Sequence, residues 1–151
     1  MGDSGCGTQW QSSSAIVARA AQVYGSHILK IDGYSRTKGL GTGKCITSEI
    51  FQIGGHRWCM KYYPDGYTGY NNSISISLCL DQAEVNEVRA RYKISLLDQD
   101  GNQACYTFSK EHGPQVCYNL ISRKDLEESV YLKDDIFSVR CDITIPKEIF
   151  T

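Results

Sequence analysis

Two arrangements in this sequence hold residue types that do chemistry. The first is Gly39-Leu-Gly-Thr-Gly-Lys44-Cys45, in which glycines lead into a lysine as they do in loops whose backbone N–H groups cradle phosphate. That pattern requires glycine at position 38 and a hydroxyl residue after the lysine, where this chain has Lys38 and Cys45. The flanking segments read as strands, so no helix N-terminus follows to complete an anion site. The second arrangement is cysteine near histidine, the raw material of a thiolate nucleophile. Cys59 lies three residues beyond His56, but in a strand an odd spacing sends the two side chains to opposite faces. His112-Gly-Pro-Gln-Val-Cys117 has no evident third group to orient its histidine. No enzymatic activity is expected, and a hydrolase built on Cys117 is the weakest of the readings weighed.

The seven cysteines are odd in number, and no two have C-x-x-C spacing. Cys59, Cys79 and Cys141 fall inside strand-like runs, where a free thiol acts as a small buried hydrophobe. His27, His56 and His112 lack metal-ligand spacing, so neither metal nor cofactor is expected. Sixteen basic against 17 acidic residues remove the simplest electrostatic argument for nucleic acid or an anionic membrane as partner. No apolar run approaches the length of a membrane span. The first residues, Met1-Gly2-Asp3-Ser4-Gly5-Cys6-Gly7, have neither a basic start nor an apolar signal core, which predicts a cytoplasmic or nuclear protein.

The elements around these residues alternate with the period of a strand. Gly54-Gly55 supplies a tight turn, then Trp58, Met60 and Tyr62 share one face against Arg57, Cys59, Lys61 and Tyr63, and Pro64-Asp65-Gly66 ends the run. Ser73-Ile-Ser-Ile-Ser-Leu-Cys-Leu80 sets Ile74, Ile76, Leu78 and Leu80 against Ser73, Ser75, Ser77 and Cys79, a strand packed on one side and open to solvent on the other. Further strands are predicted over Ser26–Asp32, Lys44–Ile53, Val88–Leu97, Gln103–Ser109 and Phe137–Ile145, with a hairpin turn at Asp98-Gln-Asp-Gly101. Ser122 can cap one short helical piece reaching Ser129, and Ser14–Ala21 is a second candidate turn of helix. Short strands at regular spacing predict an all-β antiparallel sandwich with one short helical segment.

Four segments together resemble one family, the MATH (meprin and TRAF homology) domain. They are Ser26-His-Ile-Leu-Lys-Ile-Asp-Gly-Tyr34, the Gly54–Gly66 hairpin, Val88-Arg-Ala-Arg-Tyr-Lys-Ile-Ser-Leu96, and Tyr131-Leu-Lys-Asp-Asp135. The likeness is nearest to MATH modules of plant, especially grass-type, MATH–BTB proteins and is similar to that of the animal speckle-type POZ protein. It implies an eight-stranded antiparallel β-sandwich over residues 22–147, preceded by a flexible lead-in at 1–21 and followed at 148–151 by the point where a BTB domain would begin. It further implies capture of a short, extended, Ser/Thr-containing peptide, the substrate-receptor role of a cullin-RING ubiquitin ligase adaptor. The cullin would be reached only through a BTB domain that this chain does not contain.

Carried over by position, the resemblance places the peptide-binding surface at Ser77, Tyr92, Tyr106 or Phe108, and Gln115-Val116-Cys117 with Tyr118 beside it. The family's pocket Trp is absent from that last cluster. Ser73, Ser75 and Ser77 form a row that can satisfy peptide hydroxyls, although the plainer reading is a solvated sheet face. The basic row Arg89, Arg91 and Lys93 divides likewise between a solvated face and recognition of an acidic or phosphorylated peptide. A self-associating scaffold without ligase recruitment is the alternative, and it is disfavoured because residues 1–21 contain no heptads.

Overall fold

A computed structural model describes residues 9–16, 21–68, 72–81, 90–111 and 117–147. The strands are β1 (Ala21–Asp32), β2 (Ile46–Thr47), β3 (Phe51–Ile53), β4 (His56–Tyr63), β5 (Ser73–Leu80), β6 (Arg91–Leu97), β7 (Gln103–Glu111), β8 (Cys117–Ser122) and β9 (Ile136–Lys147). The helix α1 spans Arg123–Glu127. One sheet has the order β1-β9-β6-β7; the other runs β2-β4-β5-β8, with β3 also paired to β4. Every pairing among the described residues is antiparallel, as the alternation requires.

The apolar halves of the alternating strands meet between the two sheets. Trp58, Met60, Tyr62, Ile74, Ile76 and Leu78 come from one sheet, and Tyr92, Ile94, Leu96, Phe137, Val139, Cys141 and Ile143 from the other. The Trp58 indole N–H donates to the Ile53 carbonyl at 3.1 Å, so the largest core side chain also holds the β3–β4 hairpin. Gly54 and Gly55 turn that hairpin with φ of 66° and 79°, the left-handed pair a two-residue loop favours.

The predicted turns and cap are present. The Asp98 carboxylate accepts from the backbone N–H groups of Asp100 and Asn102, closing the β6–β7 connection. Ser122 Oγ accepts from the Asp125 N–H at 3.0 Å and caps α1, which is shorter than the sequence suggested. The Lys44–Ile53 run divides into two short strands at Ser48, whose N–H donates to the Met60 carbonyl while its hydroxyl accepts from the Met60 N–H. The first strand begins at Ala21, five residues earlier than the alternation indicated, and pairs with β9 along its whole length. Residues 9–16 have no regular structure, and 17–20 lie outside the described residues.

One expectation about surface exposure is overturned. The serine row of β5 is not open to solvent: Ser75 is 1% exposed and Ser77 4%. Their neighbours across the ladder are long, Tyr63 opposite Ser75 and Lys61 opposite Ser77, and Asn119 lies beside Ser75 on β8. A short side chain between taller ones loses its water without facing the core.

Candidate functional site

The glycine-rich loop binds an anion, and that anion is the protein's own carboxylate. Asp65, at the turn after β4, accepts from the Gly41 N–H at 2.7 Å and from the Gly39 N–H at 3.3 Å. Arg123, the first residue of α1, reaches the same carboxylate at 3.5 Å and donates to the Pro64 carbonyl at 3.2 Å. The N–H groups of Gly39, Gly41 and Gly43, the last on the Gly66 carbonyl, are therefore spent on anchoring the loop, which argues against a phosphate reading. Lys38 pairs with Glu127 on the same helix. Thr37 shares a 2.8 Å hydrogen bond with the Tyr62 hydroxyl.

The thiol chemistry is equally restrained. Burial pushes the Cys59 thiol above its ordinary range, with neighbouring Cys79 adding to the effect, and this moves it away from the thiolate a nucleophile needs. Burial also pushes Cys141, in the core, up to about 12. Among the described residues no group of three or more His, Cys, Asp or Glu is arranged to hold a metal ion. His112 lies outside the described residues. No described helix is long and apolar enough to cross a membrane.

What the strands do assemble is a polar strip on the outer face of β4, β5 and β8. Ser75 Oγ donates to Asn119 Oδ1 at 2.8 Å, and Ser77 Oγ lies 3.3 Å from Cys79 Sγ. Lys61 and Tyr63 border the serines from β4, and the Tyr63 ring meets Tyr67 edge-on at 5.1 Å. Arg57 pairs with Asp81 at 3.2 Å at the far end of the strip. The register sets Cys117 directly opposite Ser77.

The residues named from the sequence divide between this strip and other places. Ser77 is on its floor, and Cys117 is its register partner, with Tyr118 opposite Ile76. Tyr92 is in the core at 1% exposure, in line with Ile94 and Leu96, so its bulk packs the sandwich rather than facing outward. Phe108 pairs with Ile94 in the backbone ladder of β7, and Tyr106 lies on the same strand. The side chains of Tyr106, Phe108, Cys117 and Tyr118, and all of Gln115, fall outside the described residues, as does Arg89. Lys61, Tyr63 and Asn119 were not singled out from the sequence. The even spacing of Lys61 and Tyr63 from Arg57 placed them on the outer face, but only the register shows that they enclose the serines.

The MATH domain family model matches residues 26–143. BTB/POZ and MATH domain-containing protein 3 of Arabidopsis thaliana is 35% identical over 138 residues, covering 82% of this chain and 34% of the relative. BTB/POZ and MATH domain-containing protein 6 of the same plant is 37% identical over 136 residues, covering 80% and 33%. The chain thus spans about a third of the length of the curated relatives it matches. Among solved structures, TRAF5 of Notothenia coriiceps superposes with a TM-score of 0.64 at 22% identity, over 79% of this chain and 72% of that one, a likeness of fold. The two-sheet antiparallel sandwich, the matched residues and the plant relatives agree, and the chain belongs to the MATH domain family, a fold of protein interaction.

Proposed function

We propose that this chain is a non-catalytic peptide-recognition module, the substrate receptor of a cullin-RING ubiquitin ligase adaptor of the MATH–BTB type. The observation that carries the reading is the strip on β4, β5 and β8. Its floor is small and polar, Ser75 and Ser77, and its border is Lys61, Tyr63 and Asn119. An extended peptide laid along such a strip can place alternate side chains between the tall borders, and its hydroxyls can exchange hydrogen bonds with the more accessible Lys61 and Asn119 of the border. A Ser/Thr-containing segment suits that border. The names of the plant relatives pair a MATH with a BTB/POZ domain, and in a protein so built the BTB domain would engage the cullin. The module would act in the cytoplasm or nucleus.

An array of Ser/Thr-rich peptides, scored for binding to the domain, tests the reading. Ser77→Arg, which fills the floor, and Lys61→Glu, which inverts the charge of the border, are expected to reduce binding at least tenfold with the fold retained by circular dichroism. If both variants bind like the parent, the peptide surface lies elsewhere. Co-precipitation of the full-length gene product with a cullin tests the ligase role separately.

A further inference from the structure

Cys59 on β4 and Cys79 on β5 stand directly opposite each other in the antiparallel ladder. Two backbone contacts fix which kind of pair they form. The Asp81 N–H donates to the Arg57 carbonyl at 2.9 Å, so Arg57 and Asp81 make a hydrogen-bonded pair. The Ser48 N–H donates to the Met60 carbonyl at 2.8 Å, turning Met60 away from β5. Hydrogen-bonded and non-bonded pairs alternate along the ladder, so Cys59 and Cys79 are again a hydrogen-bonded pair, with Cα atoms about 5.5 Å apart. That separation lies within the span a disulfide bridges, whereas Cβ atoms of such pairs are about 5 Å apart, beyond the usual disulfide spacing. A bridge there closes only with local adjustment, which makes it reducible rather than permanent.

We propose that Cys59 and Cys79 are a reversible dithiol–disulfide site whose oxidant is a small-molecule disulfide of the glutathione type. Cys79 is the entry point because it is half-buried, while Cys59 is 8% exposed. The hydroxyl of Ser77, 3.3 Å from Cys79 Sγ, can donate to the thiolate as it forms. The Cys79 sulfur attacks one sulfur of oxidised glutathione, the S–S bond breaks, and one glutathione leaves with the proton that Cys79 gave up. The Cys59 sulfur then attacks the Cys79 sulfur of the mixed disulfide. The second glutathione departs and takes the Cys59 proton through solvent. Two protein thiols are oxidised to one disulfide, and one oxidised glutathione is reduced to two thiols. Burial holds Cys59 protonated, yet its partner sulfur is across a single ladder rung, and that proximity favours closure. The site adjoins the proposed peptide strip, but the inference rests on the ladder and not on peptide binding.

The test is to treat the whole chain with oxidised glutathione, alkylate the remaining thiols, and map cysteine-containing peptides by mass spectrometry. The expected result is a Cys59–Cys79 bridge that dithiothreitol reverses, with the chain folded throughout by circular dichroism. Cys59→Ser is expected to stop at one glutathione held on Cys79, and Cys79→Ser to leave Cys59 unmodified. Finding both thiols free in the oxidised parent, or a stable glutathione adduct on Cys79 with Cys59 intact, overturns the proposal. Neither readout depends on a peptide ligand.

Discussion

The backbone N–H of Gly41 lies 2.7 Å from Asp65 Oδ2 across 24 residues of sequence, joining a glycine-rich loop to the turn that ends β4. With the Gly39 N–H and Arg123 on the same carboxylate, three elements converge on one buried charge. The loop cannot leave without stranding that carboxylate, and the helix cannot leave without exposing it to its neighbours uncompensated.

Asp65→Ala is therefore expected to destabilise the domain by about 2 kcal/mol, the scale of hydrogen bonds to a charged group. Urea denaturation followed by fluorescence measures it. Asp65→Asn should recover only part of the loss, because its amide keeps one acceptor oxygen and gives up the charge facing Arg123. Parent-like stability of Asp65→Ala would show that the loop is held by other contacts.

The hairpin glycines offer a comparison within one turn. Both have φ in the left-handed region, which costs a residue with a Cβ about 1–2 kcal/mol. At Gly54 a Cβ would also lie 2.6 Å from Ile145 Cδ1, whereas at Gly55 it would meet nothing within 4 Å. Ile145 is 5% exposed and packed in the core, so it can yield only by moving its neighbours. Gly54→Ala should accordingly lower the denaturation midpoint more than Gly55→Ala does. Equal shifts would mean that Ile145 changes rotamer at no cost.

The alternation of β4 and β5 made the sandwich readable before any coordinate, because a period of two assigns each residue a face. Trp58, Ile74, Ile76 and Phe137 could be placed in the core on that ground alone. Periodicity does not say which strand lies beside which, and the candidate site depends on just that. Ser77 faces outward as expected, yet it is buried, with Lys61 opposite it in the register. Tyr92 shows the reverse. Its position in the family pattern suggested a binding surface, while its place in line with Ile94 and Leu96 already assigned it inward. The side chain follows the periodicity, which is set by backbone geometry, and is 1% exposed.

The burial of Tyr92 makes Tyr92→Ala a test of packing. Its cost is expected at about 3–5 kcal/mol, as for large aromatic truncations in a core. A loss of peptide capture in that variant would then accompany a fall in its thermal midpoint. Ser77→Arg is predicted to lose capture with a smaller effect on stability. A Tyr92→Ala protein as stable as the parent that still failed to bind would return Tyr92 to the binding surface.

Alkaline pH should weaken the fold through groups buried in their protonated form. Burial pushes the Tyr62 phenol from its ordinary 10.0 up to about 12, although its hydrogen bond with Thr37 works against the rise. Cys141 is pushed from 9.0 to about 12 by burial, and Tyr34 is raised in the same sense. In each case the folded chain holds a proton that the unfolded chain releases at lower pH, so unfolding is favoured as pH rises between the two values. The stability these groups contribute is complete below about pH 9 and falls from there towards pH 12. Urea midpoints measured at intervals from pH 8 to pH 11 should decline. Tyr62→Phe, which cannot ionise, should flatten the part of that decline above pH 10, since the phenol no longer couples unfolding to proton release. An unchanged slope in Tyr62→Phe would assign the alkaline loss to Cys141 and Tyr34 instead.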